Sequence, residues 1–424
     1  MGKRGISLLA GLAAMSFAAG CGDSSGTSTS SSAGSQGSAA HSTTMAGSSA
    51  STQTASDKPA TETGAATLRA GLTDLLEEHV YLAGIAVNTG VGHGLTSPAF
   101  KASAAALDEN SVALSKAIGS VYGSDAQQGF LALWRNHIGM FVNYAKGLAT
   151  KNAKLAAKAQ KDLANYGPSF GNFLHSANPN IDVQAVADDL KMHVATLSAA
   201  IRSAVAGKAD VFAKLRTAAQ HMPMTAAYLA GAIAKQKPDM FDGDVNSPAS
   251  QLRSGLTNLL EEHVYLAGIA VSTGVSAGLT SPAFKAAAAT LDANSKALSQ
   301  AIGSVYGKDA AQGFLALWRN HIGLFVDYTK GVATKNKKMA AKAQKDLANY
   351  GPTFANFLHS ANPGIELQPT VEALKGHVAT LSAAIRAVVV GSPKAFARLR
   401  EAAQHMPMTA DYLAGAIATQ KKLA

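Results

Sequence analysis

Cysteine is nearly missing from this chain, and its one occurrence, Cys21, lies close to the N-terminus. Everything beyond it therefore lacks disulfides, thiolate metal sites and cysteine nucleophiles. Other signatures are missing too. The sequence contains no nucleophile elbow, no glycine-rich phosphate loop and no His-Glu-x-x-His motif. The paired Glu-x-x-His helices of di-iron carboxylate bundles and the Cys-x-x-Cys-His of covalent haem are also lacking. No segment has the length and apolarity of a comfortable membrane span. Negative charge is in deficit, with 27 Asp and Glu against 37 Lys and Arg, a formal net charge of +10. Without a recognisable binding motif, this excess does not point to nucleic acid.

The first residues read as an export signal. Lys3 and Arg4 supply positive charge, Ile6 to Ala19 a short apolar core, and Ala18-Ala19-Gly20 small residues ahead of Cys21. That order resembles a bacterial lipobox, with Ala18 where leucine is usual. It implies a signal over residues 1–20, cleavage before Cys21 and lipidation of the new terminus. Residues 21–65 are rich in Ser, Thr, Ala and Gly and cannot bury enough apolar surface to order themselves. A disordered tether of that length reaches on the order of 35–40 Å on average. The expected protein is exported, lipid-anchored to the cell envelope and in contact with the membrane only through lipidated Cys21. Lysines gather at Lys151, Lys154, Lys158 and Lys161, and again at Lys335, Lys337, Lys338, Lys342 and Lys345. They read as a solvated helix face, with anionic envelope polymers as possible partners.

The remainder is written twice. Leu68 to Lys237 reappears as Leu252 to Lys421 at a constant offset of 184, without a gap. The pattern predicts an all-α fold: two tandem homologous bundles of about six helices, over 66–237 and 250–424, joined by a linker at 238–249. In the first copy the helices fall near 67–89, 98–121, 125–150, 153–175, 183–206 and 209–235. Ser97-Pro98 reads as an N-cap followed by a first-turn proline, and Gly123 and Gly207 as separators. Gly167-Pro168 is expected to kink or split helix four, and Pro223 to kink helix six. In the second copy Ser392-Pro393 marks the start of the sixth helix.

Duplication sorts the histidines. His79, His137, His175, His193 and His221 recur as His263, His321, His359, His377 and His405, whereas His93 has become Ala277. His79 shares a stripe with Leu72, Leu75, Leu82 and Ala86; His137 lies with Phe130, Leu133, Phe141 and Tyr144; His193 lies with Val186, Leu190 and Leu197. All three point inward, and three buried imidazoles need partners for their ring nitrogens. A lone inward histidine is usually a satisfied core residue.

His221-Met222-Pro223-Met224, retained as His405-Met406-Pro407-Met408, places an imidazole beside two thioethers. Thioethers favour soft ions such as Cu(I), and imidazole suits copper, zinc, iron and nickel. Methionine also fills gaps in cores. Of Glu77 and Glu78, only one can share the direction of His79, since neighbours on a helix diverge. Glu78, with Glu262 in the second copy, is assigned to support a ligand histidine or to pair with Arg69, Arg135 or Arg216. His175 ends helix four, a favourable place for a cation, and reads as structural.

The Glu-His-Val-Tyr-Leu helix, Tyr122-Gly123, Trp-x-x-His-Ile and the His-Met-x-Met helix together resemble a bacterial family of exported, all-helical repeat proteins. Some members carry the label copper amine oxidase-like. The Asn-Tyr-Asp/Glu-Tyr motif behind the quinone cofactor of true copper amine oxidases is missing here, where Asn165-Tyr166-Gly167 stands. No oxidase activity carries over. The resemblance implies only that His79, His137, His193, His221, Met222 and Met224 sit at the family's motif positions. Read together, the sequence predicts a transition-metal site, copper first, in each copy, drawn from these six residues and from His263, His321, His377, His405, Met406 and Met408. Non-covalent haem and a structural or adhesive module without a cofactor are the alternatives, and no reaction is expected.

Overall fold

Helix ends in this protein are built from side chains that replace lost backbone bonds. Ser97 accepts from the Phe100 amide at 3.1 Å, Asn152 from Leu155 at 3.0 Å and Asp182 from Ala185 at 2.7 Å. Gly123 and Gly307, both at φ 87°, turn the chain where an L side chain would be strained. The computed structural model describes residues 59–424; Cys21, the signal and the tether up to residue 58 lie outside that range.

Among the described residues there are fourteen α-helices, one short 3-10 turn and no strand. The first half contains α1 (Gly64–His93), α2 (Pro98–Tyr122), α3 (Ser124–Ala149), α4 (Ala153–Ala177), α5 (Val183–Val205), α6 (Val211–Ala219) and α7 (Met222–Gln236). The second repeats them as α8 (Pro248–Ala277), α9 (Pro282–Tyr306), α10 (Lys308–Ala333), α11 (Lys337–Ala361), α12 (Leu367–Val389), α13 (Ala395–Ala403) and α14 (Met406–Lys421). The fold is all-α, two homologous helical bundles in tandem.

One local expectation is narrowed and one is corrected. Pro168 does not split its helix: α4 runs unbroken through it, held by buried Leu163, Tyr166, Phe170 and Leu174 on either side. Helix six instead divides into α6 and α7, with Gln220 and His221 at the break. Pro223 falls in the first turn of α7, where its missing N–H has no partner to lose. In the second half Ser392 Oγ accepts from the Lys394 amide at 3.2 Å, leaving Pro393 in the turn ahead of α13.

The first helix of each half is the centre of its bundle. In α1, residues Leu76–Leu82 without exception are buried, because α2, α5 and α7 cover one side and α8 the other. Contacts between α1 and α8 are reciprocal. Tyr81 donates to Glu262 at 3.1 Å and Tyr265 to Glu78 at 3.0 Å, and the two phenol rings stack 5.5 Å apart. Arg216 donates to Glu262 at 2.7 Å, and Arg400 to Glu78 at 2.8 Å. Each half thus completes a buried carboxylate of the other. Asp74, Glu77 and Glu261 share this seam, and burial holds all three carboxyls above their usual range, Asp74 at about 7.

Candidate metal centre

Side-chain direction on three helices sets the site. On α1, α3 and α5 the buried stripes read from the sequence face one another, and each carries one histidine at mid-length. His79, His137 and His193 thereby meet in the first half, with one ring nitrogen from each inside a sphere where all lie within 4.8 Å of one another. His263, His321 and His377 do the same in the second half. All six residues are buried. The two triads superpose in their internal distances: ring centroids lie 5.2, 6.1 and 6.5 Å apart in one and 5.3, 6.0 and 6.5 Å apart in the other.

In each triad two Nε2 atoms stand 3.4 Å apart, between His79 and His137 and between His263 and His321. A tetrahedral ion with metal–nitrogen bonds of about 2.0–2.1 Å holds its ligand nitrogens roughly 3.3–3.4 Å apart. One shared proton would also satisfy that pair, but it leaves the third imidazole unanswered. Five buried polar atoms around each triad have no protein partner: the three Nδ1 atoms with Trp134 Nε1 and Tyr166 Oη, and in the second half Trp318 Nε1 and Tyr350 Oη. Such clusters are uncommon in folded proteins and commonly mark a place for water or an ion.

Charge follows from burial. Desolvation holds every triad imidazole in its neutral form: His137 and His321 titrate at about 3, His193 and His377 at about 4, and His79 and His263 well below the ordinary value. Mutual repulsion of neighbouring rings adds to the effect for His79 and His263. At neutral pH each triad presents three uncharged imidazoles, which can bind a cation without net loss of a proton, and its members include no carboxylate. Each half can hold one transition-metal ion.

The wall of each centre is aromatic. Trp134 packs 4.8 Å from His79 and 4.5 Å from His137, and Tyr166 lies 5.3 Å from His137. A cavity of about 70 Å³ adjoins the first triad and one of about 80 Å³ the second. Ligand pockets usually start at about 300 Å³, so neither takes a porphyrin. Met222 and Met406, both buried, line these cavities.

The other residues singled out in the sequence lie elsewhere. Met224 and Met408 are exposed, at 61% and 65%. His221 is outside the triad, and its Nε2 lies 2.7 Å from Asp189 Oδ1, although the ring N–H does not point along that line. Glu78 and Glu262 bond to arginine and tyrosine across the halves rather than to histidine. His175 Nδ1 meets the Ile181 carbonyl at 2.7 Å, a local contact at the end of α4. Sequence reasoning gave no place at the site to Trp134, read as a core aromatic, or to Tyr166 and Asp189. The retention of Trp134 and Tyr166 beside retained histidines was the available signal for the first two.

No family model, curated protein or solved structure matches this chain.

Proposed function

We propose that this is a lipid-anchored protein of the cell envelope that binds copper, as Cu(I), at one centre in each half, for buffering or delivery. The observation that carries the reading is the convergence of three neutral, buried imidazoles, kept in both copies of a duplicated sequence. His79, His137 and His193 would hold the ion in the first half, and His263, His321 and His377 in the second.

The choice of ion comes from charge. Three neutral imidazoles leave a divalent ion with its whole charge in an aromatic, poorly hydrated box, and the desolvation cost of an ion climbs steeply with charge. A monovalent ion is the cheaper guest. The thioethers of Met222 and Met406 on the cavity walls add a soft donor, and softness selects Cu(I) over zinc. An exported chain whose lone thiol is the lipidation site would have no cysteine left to compete for the metal. Acylation at Cys21 and a tether over residues 21–65 would keep both centres near, and outside, the membrane.

The test is anaerobic competition between the protein and a chromogenic Cu(I) chelator, using the full chain with Cys21→Ser so that no thiol contributes. Two equivalents of Cu(I) per chain are expected, falling to one when His79 and His137 are both replaced by alanine. Absence of any stoichiometric binding rejects the proposal.

A further inference from the structure

The two centres are alike in their histidines but not in what stands beside them. One turn before His193 on α5 is Asp189, and at the matching place on α12, one turn before His377, is Ala373. Both positions line the cavity that adjoins their triad. In the first half the Asp189 carboxylate accepts from Thr225 at 2.9 and 3.0 Å and lies 2.7 Å from His221, which is buried. In the second half His405 has no carboxylate opposite it, is partly exposed, and Thr409 turns back to the His405 carbonyl at 3.2 Å. Trp134 is matched by Trp318, Phe170 by Phe354 and Met222 by Met406; Val186 is replaced by Thr370, an uncharged change whose hydroxyl donates to the Glu366 carbonyl at 2.7 Å.

A negative charge one helical turn from a ligand, about 5–6 Å between Cβ atoms, offsets part of the charge an ion brings into a poorly hydrated site. The Asp189 contact raises the His221 pKa, so it is with His221 neutral, above that pKa, that Asp189 gives the first cavity a negative charge which Ala373 cannot give the second. We infer that the two centres are specialised by charge: the first half accepts divalent transition ions as well as Cu(I), whereas the second accepts Cu(I) alone. The inference rests on the metal reading above and sharpens it. The chain would then hold one permissive and one monovalent-selective site, the arrangement expected of a protein that meets copper in both oxidation states.

Co(II) and Cu(I) titrations of the full chain with Cys21→Ser separate the possibilities, Co(II) being followed by its visible d–d absorption. The expected result is two equivalents of Cu(I) but one tight equivalent of Co(II). Asp189→Asn, which keeps a hydrogen-bonding partner for Thr225, should weaken Co(II) binding about 10–100-fold, the range seen when groups supporting a metal site are removed. It should leave two Cu(I) equivalents in place. Ala373→Asp, at a surface-accessible position that tolerates a larger side chain, should create a second Co(II) site. Two Co(II) sites of equal affinity, or one that ignores Asp189→Asn, overturn the inference while two Cu(I) equivalents keep the metal reading standing. Failure of Cu(I) itself to bind removes both.

Discussion

Replacing His137 by glutamine provides a quantitative test of the neutral triad. Glutamine can still hydrogen-bond but does not titrate. In the folded protein His137 titrates at about 3, while in the unfolded chain it returns to the ordinary value near 6.5. Its folded pKa is depressed, so between these values the unfolded state binds the extra proton and stability falls as pH falls. At pH 7.5 the residue contributes almost nothing to this linkage. At pH 5.5, one unit below the unfolded value, it costs the wild type about 1.4 kcal/mol, and at pH 4.5 about 2.7 kcal/mol. Urea unfolding of metal-free wild type and His137→Gln at the three pH values measures the difference directly. Relative to wild type, the variant should gain about 1.4 kcal/mol between pH 7.5 and 5.5, whatever its absolute stability. The comparison cancels the carboxyls of the seam, whose raised pKa values act in the opposite direction. A stability difference that stays flat with pH refutes the claim that this imidazole is buried in its neutral form.

Other consequences follow from the seam and from the exposed methionines. Asp74, raised to about 7, is replaced by Asn258 in the second half. Its contribution to stability is lost as pH rises through that value, so Asp74→Asn should stabilise the protein at pH 8 by about 1–3 kcal/mol, discounted for partial exposure, and have little effect below pH 4, as read by denaturant midpoints. Glu78→Ala strands Arg400 and Tyr265, and should cost about 3 kcal/mol in urea unfolding; this is the lower end for a broken buried pair, because Glu109 stands 3.4 Å from Arg400. Met224→Leu and Met408→Leu, both at the surface, should leave Cu(I) affinity unchanged within twofold in the chelator assay, and a tenfold loss would place a thioether ligand there.

Much of this arrangement can be read in the sequence because helical spacing is a local property. The stripes through His79, His137 and His193 follow from apolar residues at intervals of three and four, and the structure turns those stripes toward one another. Helix boundaries follow from caps and glycines, as at Ser97 and Gly123. What spacing cannot supply is the relation between elements. Whether His221 joins the triad depends on where α6 ends and how α7 crosses α5, and the chain breaks at His221 rather than bending at Pro223. Nor does periodicity reveal that Glu78 faces the arginine of the other half. Its i±4 neighbours Asp74 and Leu82 both suit a core or seam, and the matching residue pair is more than 300 positions away. Glu77 receives no role in the sequence beside the favoured Glu78, yet α1 is covered on both sides and buries it fully. The duplication that isolates the retained histidines also directs attention away from Asp189, since a residue present in one half only looks like drift.

The most direct measurement of the central claim is an X-ray absorption spectrum of the full chain loaded with two equivalents of Cu(I), compared with the chain lacking one triad. Imidazole nitrogens at about 2.0 Å, with outer-shell scattering from the rings, are predicted at both centres, and half of the bound metal should disappear with each triad removed. A coordination shell without imidazole, or metal content indifferent to loss of the histidines, would contradict the account.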